Sequence, residues 1–324
     1  MNLPYLVKQL GLAALLVFCL VSCSQCNEDN KATSTSKPQA RIITGDTPQD
    51  SLAQPQRTIQ NTPEIQNKAF EEQENESLQL FEAAYEKNPK DPDTWMFFMR
   101  LCGLKAQADK PDAMKCYDRF FKETKDLAMN EDTMTTALRW RIIMALQEDN
   151  GPEAKFYWVR LASIEKEMVK QGKLPKEIIA YSAFIHSGVL FLEDKREEAI
   201  AELQMAVQLY EESGTDDPEI LLDYLEKLAQ FQSASSKHID AIKTLEKQEK
   251  ILIKKYGNIN PMVAVCRLKR ISILLTIDDK HGASELWDYV YNVIGRFKKD
   301  ELPPEINDLY VQTMVRLDAA GVLP

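Results

Sequence analysis

The amino-acid sequence predicts an all-α protein, an α-solenoid of about five helical hairpins closed by a C-terminal capping helix. From Glu64 onward, apolar residues recur with helical spacing and strand-like alternation is missing. Two residue types also recur at one common interval. Prolines separated by 43, 43 and 42 residues are Pro175, Pro218, Pro261 and Pro303. Alanines separated by 41, 45, 42 and 42 residues are Ala113, Ala154, Ala199, Ala241 and Ala283. Two independent series with one period predict a repeat array.

Each repeat is predicted to be a helix-turn-helix unit of about 42 residues. The prolines fit the first turn of the first helix, where the missing N–H group is not needed. The alanines fall early in the second helix, where a small side chain allows close packing. Measured from the prolines, the predicted core stripe is Ile178, Ser182, Ile185, Val189; Leu221, Leu225, Leu228, Gln232; and Ala264, Leu268, Ile271, Leu275.

Two segments carry a resemblance to a known family. One runs from Leu228-Ala229 through Ala241 and Leu245 to Gly257 and Asn260-Pro261, and the other is Asn88-Pro89-Lys90-Asp91-Pro92 with Trp95. They resemble tetratricopeptide repeats, especially the 42-residue form of kinesin light chains. The resemblance covers roughly residues 78–319, although the unit near 132–170 lacks its junction proline. It implies that the first helices line a concave groove and that the array binds protein partners.

The first 22 residues are predicted to be a lipoprotein signal peptide. Leu12–Val21 is an uncharged apolar run too short to span a bilayer. It ends in Leu20-Val21-Ser22-Cys23, which resembles the bacterial lipoprotein signal. The resemblance implies cleavage before Cys23 and acylation of that residue, by palmitate among other chains, and two or three acyl chains anchor a protein stably. A plain secretory signal cut elsewhere is the alternative.

The second residue of the mature chain bears on location. It would be Ser24 rather than aspartate, which in enterobacteria-like systems implies the outer membrane. The periplasmic and surface faces both stay open.

Residues 23–63 are predicted to be a lipidated, disordered tether. After Cys23 the segment has no aromatic residue, four prolines and many Ser, Thr, Gln and Asn residues. Such a composition cannot bury enough apolar surface to offset the entropy lost on ordering. The helical repeat domain is therefore predicted to occupy residues 64–324.

The sequence gives no support for an enzyme, a metal site or a cofactor. It has no G-x-S-x-G, H-E-x-x-H, G-x-G-x-x-G or P-loop motif. Its three histidines, His186, His238 and His281, fall in different repeats. The net charge of −10 argues against a nucleic-acid partner, since such proteins usually have a basic excess.

Cys102 and Cys116 fall on consecutive predicted helices, about equally far from the turn between them. They could approach each other, and an exported chain can form disulfides. We favour the simpler interpretation of two small buried side chains in a helical core.

Charge is unevenly distributed along the array. Residues 191–226 have twelve acids and two bases, and residues 237–270 have nine bases and three acids. Glu219, Asp223 and Glu226 share one helical stripe, and the family resemblance places them in the groove, with Lys269 and Arg270 one repeat further on. A basic stripe on the next second helix consists of Lys243, Lys247, Lys250 and Lys254. Both stripes could instead be ordinary solvated faces.

These features together predict a membrane-anchored protein–protein interaction scaffold in the bacterial envelope, with a protein partner and a lipid anchor. A ligand-capture lipoprotein for a small molecule or glycan is one alternative. A non-catalytic regulatory subunit of an envelope enzyme is another.

Overall fold

The computed structural model describes residues 63–108, 111–215, 217–297 and 303–323. Every regular element in this part of the chain is an α-helix, as the sequence predicts. The helices form two compact units, residues 63–128 and residues 129–323. The predicted signal peptide, Cys23 and the tether up to residue 62 lie outside the described residues.

The first unit contains three helices, α1 (Pro63–Lys87), α2 (Pro92–Gln107) and α3 (Ala113–Glu123). The junction between α1 and α2 is held by local hydrogen bonds. The Asp91 carboxylate caps α2 by accepting a hydrogen bond from the Asp93 N–H group at 3.0 Å. The Trp95 indole N–H group donates to the Pro89 carbonyl at 2.9 Å. Helix α1 thus precedes the first predicted hairpin, which consists of α2 and α3.

A disulfide joins Cys102 on α2 to Cys116 on α3, with 5.4 Å between the Cα atoms. Our preference for two unbonded buried cysteines was therefore wrong. Both side chains are indeed buried, Cys102 fully and Cys116 to 8% exposure. The preference failed because apolar burial and cross-linking both require a cysteine facing the neighbouring helix, so the sequence pattern does not separate them.

The second unit contains four hairpins and a final helix. Its helices are α4 (Glu131–Gln147), α5 (Gly151–Lys170), α6 (Lys176–Leu192), α7 (Arg196–Ser213), α8 (Pro218–Ala234), α9 (His238–Tyr256), α10 (Pro261–Thr276), α11 (Lys280–Ile294) and α12 (Pro304–Ala319). Sequential helices pack against each other, and α4 also contacts α6. Asn130 replaces the missing junction proline before α4, because its side chain accepts a hydrogen bond from the Thr133 N–H group at 2.7 Å.

The repeat is visible in the backbone of the turns. In the second unit, one residue adopts a left-handed conformation, with φ between 55° and 61°, two residues after each first helix ends. These residues are Asp149, Asp194, Ser236 and Asp278. The following N–H group bonds back to a carbonyl five residues earlier, at 2.8–3.0 Å, which closes each first helix. The turns from one hairpin to the next use Gly172, Gly214 and Gly257, all with positive φ.

The predicted packing residues are buried as expected. All five repeat alanines are at most 1% exposed. Nine of the twelve core-stripe positions are buried, and the three others are partly buried. Of the repeat prolines, Pro218 and Pro261 occupy the first helical position, whereas Pro175 and Pro303 lie one residue earlier as N-caps.

The two polar residues of the core stripe are satisfied by other buried groups. The Gln232 side-chain carbonyl accepts a hydrogen bond from the Thr244 hydroxyl at 2.8 Å. The Ser182 hydroxyl donates to Glu165 at 2.6 Å, and the same carboxylate pairs with Arg139 at 2.5 Å. Helices α4, α5 and α6 therefore meet at one buried ionic junction.

The final helix caps the array as the repeat pattern predicts. Leu317 on α12 is fully buried in a cluster with Leu268, Trp287 and Val290. The Trp287 and Tyr310 rings stack with their centroids 5.0 Å apart. This packing covers the apolar face that the last hairpin would otherwise expose.

Candidate functional site

The predicted acidic stripe begins at Glu219, in the first turn of α8. Its carboxylate accepts hydrogen bonds from Lys255 and Tyr256, at the end of α9. Partial burial raises the pKa of Glu219, but these two hydrogen bonds and the lysine charge outweigh it, so the pKa lies below its ordinary value. Glu219 is thus ionised and already has partners within the chain.

Glu226, two turns further along α8, pairs with Lys269 of α10 at 2.6 Å. The Gln230 amide donates to the same carboxylate at 3.2 Å. Burial raises the pKa of Glu226, yet the Lys269 charge and hydrogen bond lower it further than burial raises it. The structure therefore brings together two of the residues predicted from the sequence, across neighbouring repeats.

Asp223 lies between these two glutamates and differs from both. It is half-buried, and neither a hydrogen bond nor an ion pair joins its carboxyl group to the described residues. Burial, the charges of Glu226 and Glu219, and more weakly Asp217 raise its pKa to about 7, although Lys269 opposes the shift. Asp223 consequently titrates close to neutral pH, and its carboxyl oxygens have no hydrogen-bond partner among the described residues.

Arg270 occupies a different surface from the other four predicted residues. Its guanidinium group binds Glu249 at 2.6 Å and Glu246 at 2.7 Å, both on α9. Arg267 also binds Glu249, and its guanidinium carbon lies 3.5 Å from the centre of the Tyr289 ring. Arg270 therefore fixes α10 on α9. We name the remaining group, Glu219, Asp223, Glu226 and Lys269, the α8 acidic site.

Sequence reasoning missed Lys227, which directly follows Glu226. Burial lowers the pKa of Lys227 to about 8, although Glu226 opposes the shift. Its ammonium group lies 5.6 Å from the centre of the Phe231 ring, which stacks on Phe191 of α6 at 4.1 Å. In the sequence, the only feature that could have pointed to Lys227 was its position one residue after an acid of the stripe. Such a pair is common on any solvated helix.

The histidines do not assemble a chemical site within the described residues. The His186 ring stacks on Trp158 at 4.2 Å, and its Nδ1 lies 2.9 Å from Glu202. His238 begins α9, and His281 is exposed in the first turn of α11. No cluster of His, Cys, Asp and Glu in the described part of the chain could hold a metal ion. Among the same residues, no helix combines the length and apolar character needed to cross a bilayer.

Comparisons with known proteins support the fold. No family model and no curated protein matches the sequence. Among solved structures, the chain is similar to a kinesin-light-chain protein of Podospora anserina with nearly identical tetratricopeptide-like repeats. The TM-score is 0.55 at 14% identity, over 65% of this chain and 99% of that one. BtubC (BKLC) of P. vanneervenii matches at a TM-score of 0.39 and 14% identity, over 78% of this chain and 83% of that one.

The first of these likenesses and the repeat geometry agree. The chain has a tetratricopeptide-like fold of stacked helical hairpins, as the sequence resemblance implies.

Proposed function

We propose that this protein is a lipid-anchored interaction scaffold of the bacterial envelope, and that its α8 acidic site receives a basic segment of a protein partner. Stacked hairpins offer an extended binding surface assembled from successive repeats. The observation that carries the proposal is Asp223, a half-buried carboxyl group with no hydrogen-bond or ion-pair partner among the described residues.

A lysine or arginine from a partner suits this position. Its charge would compensate the repulsion among Glu219, Asp223 and Glu226, and it would lower the pKa of Asp223 on binding. Lys269 already neutralises Glu226, so one added cation completes the local charge balance. Such complementarity gives specificity and a fast association rate.

Two independent observations support the proposed location in the envelope. The signal-like sequence ending at Cys23 is one line, with the acyl anchor it implies. The Cys102–Cys116 disulfide is another, because stable disulfides are typical of oxidising compartments outside the cytosol. An anchored scaffold would also gain effective concentration toward partners on the same membrane.

The test is a crosslinking pull-down of the full lipoprotein from cells, with an Asp223→Lys variant beside an Asp288→Lys control on the exposed face of α11. We expect one envelope protein to be enriched by the unmodified chain and the control, and lost with Asp223→Lys. A partner retained by all three proteins would remove the α8 acidic site from the proposal. If no protein is enriched, the scaffold function is wrong.

A further inference from the structure

The basic stripe of α9 remains outside the proposed α8 acidic site. Its four lysines are exposed and span about 17 Å at the helical rise of 1.5 Å per residue. They are Lys243, Lys247, Lys250 and Lys254. Only Lys247 has an ion-pair partner among the described residues, Glu211 of α7 at 2.7 Å, and that pair is itself exposed. Three lysines therefore present their charges to solvent.

The acids of α9 do not neutralise this face. Glu246 and Glu249 are engaged by Arg267 and Arg270 of α10. The remaining acid, Asp240, is exposed in the first turn of the helix, three residues before Lys243, and offsets part of the positive charge at that end of the stripe. The outer face of α9 therefore has its positive excess toward the C-terminal end, at Lys250 and Lys254, although the whole chain has a net charge of −10.

Exposed apolar residues follow the stripe directly. Ile259, in the connection from α9 to α10, is 57% exposed, and Met262, in the first turn of α10, is 48% exposed. Tyr256, the last residue of α9, is 40% exposed. The preceding connection, from α7 to α8, is polar instead. It contains Thr215 and Asp217, and Glu219 occupies the position equivalent to Met262. The apolar tip is therefore absent from the equivalent turn one repeat earlier.

We propose that the α9 basic stripe and the apolar tip (Ile259 and Met262) form a contact surface for an anionic phospholipid bilayer. Lysines near such a surface are attracted to anionic headgroups, and their long stems keep the ammonium groups at the interface. Exposed isoleucine and methionine side chains next to them can enter the boundary between headgroups and acyl chains. An acidic protein segment without apolar side chains would use the lysines but would leave the apolar tip in water. This surface does not depend on the α8 acidic site or on acylation of Cys23.

The test is cosedimentation of the full chain, carrying Cys23→Ser so that no acyl chain contributes, with two kinds of vesicle. One contains phosphatidylglycerol and phosphatidylcholine, and the other contains phosphatidylcholine alone. The measured quantity is the ratio of bound protein on the two kinds, compared between variants that all carry the same predicted signal peptide. Reversing the stripe with Lys243→Glu/Lys250→Glu/Lys254→Glu is expected to lower this ratio at least about tenfold.

The matched control is Lys166→Glu/Lys170→Glu/Lys173→Glu, which changes the net charge equally at exposed positions of α5 and its following turn. We expect a fall of at most about threefold, from long-range repulsion alone. Equal losses in both variants would overturn the proposal, because net charge and not the stripe would then be responsible. An unchanged ratio after stripe reversal would also overturn the proposal. It would do so even if the same variant failed to bind an acidic protein.

The apolar tip gives a second measurement that leaves every charge in place. Ile259→Ser/Met262→Ser is expected to reduce the binding to anionic vesicles that survives high salt, where the lysine contribution is screened, to the part contributed by the predicted signal peptide. Its control, Phe156→Ser/Val159→Ser, removes two exposed apolar residues of α5, each 59% exposed. Salt-resistant binding that is unaffected by the first change, or equally reduced by both, would exclude insertion of the tip.

Discussion

The two units of this protein are stabilised by different means. Residues 63–128 contain only three helices, and they combine a disulfide with an aromatic cluster in which the Phe81 ring lies 4.7 Å from Phe98 and 5.7 Å from Trp95. Residues 129–323 contain nine described helices with repeated turns, buried alanines and an internal ionic junction. A small helical unit buries little apolar surface, so a covalent cross-link is worth more there than in a long array.

The largest expected effect tests the array at its ionic junction. Glu165→Ala would leave the guanidinium group of Arg139, a residue that is 7% exposed, without its carboxylate partner. Breaking one partner of a buried pair is expected to cost about 3–5 kcal/mol in the free energy of unfolding. Urea denaturation of the variant beside the unmodified protein measures this loss.

The double variant Arg139→Met/Glu165→Leu is the control for that experiment, because it removes both charges together. We expect it to recover most of the loss, since well-packed apolar replacements of buried pairs are often neutral. A single variant that loses less than about 1 kcal/mol would mean that water reaches the junction and solvates Arg139.

The next effect tests the first unit. Cys102→Ala/Cys116→Ala opens a cross-link between residues 14 apart, and closing a loop of this size contributes about 3 kcal/mol. We expect faster amide hydrogen exchange in α2 and α3, measured by mass spectrometry. Cys266→Ala, which removes a free buried cysteine of α10, should leave exchange in α2 and α3 unchanged. Equal exchange in the double variant and the unmodified protein would show that the aromatic cluster alone holds this unit.

The sequence predicted most of the fold because two series of residues repeat along it. The prolines mark the helix starts, and the alanines mark the close contacts between helices. Ala241 and Ala283 could be placed from their spacing alone, and both are fully buried. The disulfide could not be predicted in this way, because a cysteine in a helical core has the same pattern whether bonded or free. Helix α1 was not predicted as a separate element, since it precedes the first unit of the repeat.

The candidate site was only partly predictable, for a geometric reason. Neighbouring residues on a helix point about 100° apart, so Lys269 and Arg270 serve different neighbours, Glu226 on α8 and two glutamates on α9. Clusters of charge along the sequence do not reveal this division. Nor could the raised pKa of Asp223 be inferred, because it arises from burial by surrounding helices and from the order of the charges around it.

The smallest of the three expected effects concerns Asp223. It contrasts the charges that are paired within the array with a carboxyl group that has no partner among the described residues. In the folded chain its pKa is about 7, compared with an ordinary value of 3.8. Between these two values the folded state holds a proton that the unfolded state has lost, so the group lowers stability as pH rises. Above pH 7 the penalty is constant, and below pH 3.8 it vanishes.

Asp223→Asn removes this titration while keeping the shape of the side chain. We expect the variant to gain stability over the unmodified protein, and the gain to be larger at pH 7.5 than at pH 4.5. The two pKa values set an upper limit of about 3 kcal/mol on this difference, and solvent screening of the partly exposed carboxyl group lowers the expected difference to about 2 kcal/mol. Urea denaturation at the two pH values measures it, with Asp288→Asn on exposed α11 as the control that shows no such difference. A gain independent of pH would mean that Asp223 is ionised throughout and is already compensated within the chain. A gain that grows with pH would instead identify Asp223 as an acid that the fold keeps at a cost to its own stability, as expected of a residue that serves a partner.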